Sequence, residues 1–233
     1  MLLGLLWPIL WSQGKRVRRV TPLLPEAMGP RWGSRGNGPP MRVLIAGDSA
    51  AAGVGVSTQE LALCGQLVKR LSRHHAVEWH VSAIKGLDSP GLVKLLEGIP
   101  SSPFDVVILS MGANDATSLY PPRLWAQQQI QLAELIDSRF SPELLVYTAV
   151  PPMHACKALP QPLRWFMGRW ALDMNARLAT LLSGQDKRTM HWHPKTTIPN
   201  GLARDGIHPN SQGYSRWAEE LSERILAFQM LRN

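Results

Sequence analysis

Ser49 lies in Gly47-Asp48-Ser49-Ala50, at the end of an apolar run over residues 42–47. A serine in a tight strand-to-helix turn exposes its hydroxyl and sets its own N–H at a helix start. Free serine is a poor nucleophile and needs a base beside it. Far along the chain, Asp205-Gly206-Ile207-His208 offers one. His208 is the candidate base, and Asp205 the carboxylate that fixes the imidazole tautomer and stabilises imidazolium. Their spacing lets one short loop present both side chains. Attack on an ester creates an oxyanion, which needs preorganised donors. The Ser49 N–H, the Gly86 N–H in Lys85-Gly86-Leu87-Asp88 and the Asn114 amide in Gly112-Ala113-Asn114-Asp115 are the candidates. At Gly86 the missing side chain lets backbone approach a substrate closely.

The elements that must position these residues alternate. Residues 42–47, 77–83, 105–111 and 144–150 read as short buried strands, and 189–193 as a fifth. Residues 59–73, 90–97, 122–140, 163–182 and 212–231 carry helical spacing or helix-start signals. Strand–helix alternation with near-continuous apolar strands predicts a parallel sheet of about five strands covered on both faces. In such a sheet the site lies outside the carboxyl ends of the strands. The blocks containing Ser49, Gly86 and Asn114 each follow a predicted strand.

Each block alone is a weak signal; their order is stronger. Gly-Asp-Ser, a later Gly, Gly-x-Asn-Asp and a late Asp-x-x-His together resemble the SGNH (GDSL-type) hydrolases over residues 42–230. The resemblance implies a flavodoxin-like three-layer α/β/α fold and ester or thioester hydrolysis through an acyl-serine. It implies Ser49 as nucleophile, Asp205 and His208 as its partners, and Ser49, Gly86 and Asn114 as the oxyanion hole. The sequence departs from the pattern at Ala50, where the family name has Leu, and after Gly86, where Leu-Asp follows. On the same residues, a sugar O-deacetylase and an acyltransferase are rivals within the mechanism. A non-catalytic flavodoxin-like binding module is the rival outside it.

Composition bounds the rest. The chain has 233 residues, 45% of them hydrophobic and 18% charged, enough for one large core. Two cysteines, Cys64 and Cys156, exclude a disulfide framework and a zinc ribbon. His191 and His193 share a face if their segment is a strand, but no third ligand is evident, so no metal is expected. No GxGxxG or GxxxxGK occurs, so no nucleotide cofactor is expected. Asp48 is expected to orient the serine turn. Asp115 is expected to buttress Asn114 or cap the segment after it. The aromatic run Trp165, Phe166, Trp170 is expected to be divided between core and either a pocket wall or a lid.

Residues 1–42 hold seven Lys/Arg and one acid, so this segment carries +6 of the net +8. The remainder is nearly neutral, which argues against a nucleic-acid-binding domain. The apolar residues 1–11 rise about 16 Å as a helix against a hydrocarbon core of roughly 30 Å, too little to span it. Basic residues follow the apolar run, which favours a cytoplasmic location for the domain. An apolar foot followed by Lys15, Arg16, Arg18 and Arg19 suits peripheral contact with the inner membrane face through residues 1–19. An unstructured extension suits the same composition. Five Gly and five Pro among residues 14–41 predict an irregular linker, with a segment 1–41 preceding a hydrolase domain 42–233. The expected partner is a small-molecule or lipid acyl ester.

Overall fold

The computed structural model describes residues 2–191 and 200–232, with side chains from Leu6 onward. Its centre is a six-stranded sheet. In chain order the strands are β1 (Trp32–Arg35), β2 (Pro40–Gly47), β3 (Ala76–Ala83), β4 (Val106–Ser110), β5 (Leu144–Thr148) and β6 (Arg188–His191). The spatial order is β1-β3-β2-β4-β5-β6. Five strands are parallel, in the flavodoxin-like order, and β1 adds an antiparallel edge against β3.

The period of two along each strand divides the core into two layers. Leu44, Ala46, Val107, Leu109, Leu145 and Tyr147 face one side, under α3 (Ser89–Glu97), α5 (Pro122–Phe140) and α6 (Leu163–Leu182). Val43, Ile45, Val106, Ile108, Leu144 and Val146 face the other, under α2 (Leu63–Leu71) and α7 (Ser211–Met230). Helix α2 starts four residues later than residues 59–73 predict. Residues 59–62 are held in turns instead, with the buried Gln59 amide donating to the Ala27 and Ala52 carbonyls. The fifth predicted strand is found as β6; His193, expected in it, lies outside the described residues.

The segment before β2 departs from the irregular linker its composition predicts. Helix α1 (Leu2–Val20) continues through the basic cluster. Leu6, Leu10 and Val17 pack on the core beneath α6. Trp32–Arg35 pairs with β3, Leu24 and Ala27 are buried, and Glu26 and Arg31 form an ion pair at 2.6 Å. Tertiary contacts override the Gly/Pro composition here, so the packed structure begins well before residue 42. Among the described residues, no helix is long and apolar enough to cross a membrane.

Candidate active site

The sheet reverses its winding between β2 and β4, and both strands end at one crevice. Ser49 follows β2. Asn114 sits in the first turn of α4 (Ala113–Thr117), directly after β4. Gly86 follows β3 on the other side of β2, with φ +83° and open space where a side chain would stand. That left-handed conformation favours glycine. The sequence-predicted strand-end residues therefore share one edge of the sheet.

A short loop brings in the remaining two. Residues 201–210 fold back on themselves through Ala203 N–H to His208 O (2.8 Å) and Asn210 N–H to Gly201 O (3.0 Å). The Asn210 side chain then caps α7 by accepting the Gln212 and Gly213 N–H groups. Gly55, in the turn after Ser49, lies directly on this loop. A Cβ at Gly55 would stand 2.2 Å from the Pro209 carbonyl oxygen, so only glycine permits the approach.

The result is a hydrogen-bonded chain. Ser49 Oγ lies 2.8 Å from His208 Nε2, and His208 Nδ1 lies 2.5 Å from Asp205 Oδ2. Asp205 Oδ1 accepts the N–H groups of Ile207 (3.0 Å) and His208 (3.1 Å). Burial pushes the Asp205 carboxyl up, but the hydrogen bonds from the His208 ring and these two N–H groups outweigh it. The net effect holds it below its ordinary value. An ionised Asp205 only accepts, so Nδ1 carries the imidazole proton and Nε2 is left to accept from the serine hydroxyl.

Asp48 points inward, 3% exposed, and accepts the Ala50 N–H at 3.1 Å. Burial pushes its carboxyl up to about 7, against the pull of that N–H and of His208. This is the turn-orienting contact expected of it.

Asp115 departs from expectation. It caps the preceding helix, not the following segment: its two oxygens accept the Ser89 N–H and hydroxyl, each at 3.1 Å, at the start of α3. The Asn114 amide donates to the Leu87 carbonyl at 2.8 Å. Asn114 and Asp115 together hold the loop that carries Gly86. Among the described residues, the Ser49 and Gly86 N–H groups have no protein acceptor.

A pocket of about 180 Å³ opens beside Ser49 and His208. Its walls are mainly apolar, with Met111, Pro152, Met153, Ile207 and Trp217 among them. The aromatic run contributes nothing to these walls. Met167 is buried, Phe166 and Trp170 pack on the core, and Trp165 is exposed. His154 is also exposed.

Three supporting residues escaped sequence reasoning. Asn175 clamps the Val150 N–H and carbonyl (2.7 and 2.9 Å), fixing the backbone ahead of the pocket wall. The Cys156 thiol contacts the Gly206 carbonyl at 3.3 Å, joining that wall to the loop of His208. Tyr214 Oη lies 2.7 Å from the Val54 carbonyl and 3.1 Å from that of Ala50. A polar Asn on the apolar face of α6 was the one legible signal.

Comparison with solved structures recovers the same fold. The psychrotrophic esterase EstA from Pseudoalteromonas sp. matches at 18% identity and TM-score 0.61, covering 82% of this chain and 99% of that one. The Corynascus thermopiles (Myceliophthora fergusii) carbohydrate esterase family 2 enzyme with its carbohydrate binding domain matches at 15% identity and TM-score 0.65, covering 88% and 69%. The extracellular lipase from Streptomyces rimosus matches at 18% identity and TM-score 0.57, covering 78% and 99%. A search of curated protein sequences finds no match. The sequence pattern of the GDSL-like lipase/acylhydrolase family matches residues 45–216, and the chain belongs to that family of ester hydrolases.

Proposed function

We propose that the protein is a serine hydrolase that cleaves acyl esters or thioesters through an acyl-serine intermediate. The observation that carries this reading is the continuous Ser49–His208–Asp205 hydrogen-bonded chain, at 2.8 and 2.5 Å.

Neutral His208 takes the Ser49 hydroxyl proton at Nε2 as Oγ bonds to the substrate carbonyl carbon. Asp205 stabilises the imidazolium through Nδ1–H. Charge gathers on the carbonyl oxygen, which the Ser49 N–H, the Gly86 N–H and the Asn114 amide would hold. One amide hydrogen of Asn114 is committed to Leu87; the other is left to donate. The imidazolium returns its proton to the leaving alcohol or thiol, leaving acyl-Ser49. Water, deprotonated by the same nitrogen, then releases the acid. An alcohol in place of water would give acyl transfer.

The apolar pocket favours an acyl chain, lipid-type or small, over a sugar ring as the buried moiety. The test is hydrolysis of p-nitrophenyl esters of increasing acyl length by the full chain, beside Ser49→Ala. Turnover lost in the mutant supports the serine mechanism. A folded Ser49→Ala protein that keeps turnover refutes it. An optimum beyond acetyl supports an acyl-chain substrate; an acetyl-only optimum favours sugar deacetylation.

A further inference from the structure

Helix α1 has two unlike faces. Inward, Leu6, Leu10 and Val17 recur at helical spacing and join the core. Between them, the Gln13 side chain donates to the Gln161 carbonyl (2.7 Å) and accepts the Leu163 N–H (3.0 Å) at the start of α6. Arg18 reaches the Thr117 carbonyl, at the end of α4, at 3.3 Å. The helix is therefore fixed to the molecule on the edge that bears Asn114.

Outward, Trp7, Trp11, Lys15 and Arg19 follow one another at steps of four, a stripe along one flank. Trp7 and Trp11 are 50% and 56% exposed. The Lys15 ammonium stands 3.6 Å from the centre of the Trp11 ring. The helix holds four basic residues and no acid. Merely covering the core would leave the outward stripe free to be polar; two tryptophans there expose large rings to water.

We propose that the outward face of α1 docks the protein peripherally on an anionic lipid surface. Indole rings settle at the headgroup boundary, where one edge is apolar and the other wet. The adjoining Lys15, Arg16 and Arg19 meet anionic headgroups, and the cation over Trp11 keeps ring and charge together. Tryptophan ahead of a basic cluster on a fixed helix fits a structure lying in the interface plane. A second copy of this chain is disfavoured as occupant, because each face would bring the same positive charge to the other. The surface stands independently of the esterase reading.

The test is co-sedimentation of the full chain with phosphatidylcholine vesicles, with and without phosphatidylglycerol. Trp7→Ser/Trp11→Ser and Lys15→Glu/Arg19→Glu are run beside it, with thermal melts to confirm folding. Binding is expected to the anionic vesicles only, weakened by salt and reduced about tenfold or more by either double substitution. Equal binding to both vesicle types, no binding to either, or binding unaffected in folded variants would overturn the proposal. So would light scattering that shows a dimer which Trp7→Ser/Trp11→Ser dissociates, since α1 would then be a self-interface. RNA binding that both substitutions abolish, without vesicle binding, would also overturn it.

Discussion

The Glu26 carboxylate accepts the Lys85 backbone N–H at 2.6 Å. Lys85 immediately precedes Gly86, so the segment ahead of β2 is clamped to a loop of the candidate active site. Arg31 holds the other carboxylate oxygen at 2.6 Å, and the Lys85 ammonium reaches the Leu24 carbonyl at 2.8 Å. Glu26→Ala is expected to lower kcat about tenfold, because small displacements of positioned groups are costly in rate. Glu26→Gln, whose amide oxygen still accepts, should retain most of it. Steady-state kinetics on one soluble ester compares the two.

Asp205→Asn tests the imidazole orientation. An amide in place of the carboxylate can donate to Nδ1, which turns the proton to Nε2 and leaves no acceptor for the Ser49 hydroxyl. A fall of about 10⁴ in kcat is expected, with little change in KM. A loss below about tenfold would remove Asp205 from the mechanism.

Asn114 tethers Leu87 and is proposed as an oxyanion donor, and the two tasks separate kinetically. Asn114→Ala removes the proposed oxyanion donor and the tether to Leu87, and should cost about 10² to 10³ in kcat. Asp115→Asn loosens the same loop through Ser89 but leaves the Asn114 amide in place. It should cost far less. Equal losses would mean that Asn114 acts only by holding the loop.

Asp48 makes stability depend on pH in an uncommon direction. Its carboxyl is raised by burial from 3.8 to about 7. Between these values the folded chain keeps a proton that the unfolded chain has released. This group's contribution to stability therefore falls as pH rises through that window, and is flat above it. The shift corresponds to roughly 4 kcal/mol at most. Asp48→Asn removes the buried charge, so its melting temperature relative to the parent should be higher near pH 8 than near pH 5. Calorimetry at the two pH values measures the difference.

Strands β2, β4 and β5 were legible because each is a short apolar run closed by turn residues, and both faces of the sheet are covered. Ser49, Asp205 and His208 were legible because their residue types are unusual together at strand and helix ends. Strand β1 was not, since Trp32-Gly33-Ser34-Arg35 has no alternation and is extended by pairing with β3. Helix α1 was not legible: residues 1–11 read only as an apolar segment, because Gly14 and the basic run dilute the period that Leu6, Leu10 and Val17 complete. Asp115 was misplaced for a related reason. Asp88-Ser89-Pro90 announces a helix start, but that a carboxylate 26 residues later supplies a second cap is a tertiary fact.

Tyr214 ties the turn of Ser49 to α7, and Gly55 seats that turn on the loop of His208. The consequence concerns synthesis. Ser49 leaves the ribosome 159 residues ahead of His208, and ahead of the helix that steadies its turn. A nascent chain halted before Asp205 holds a serine with no partner to hydrogen-bond it. Ser49 should then meet His208 only as α7 docks, and a shorter nascent polypeptide stays chemically silent.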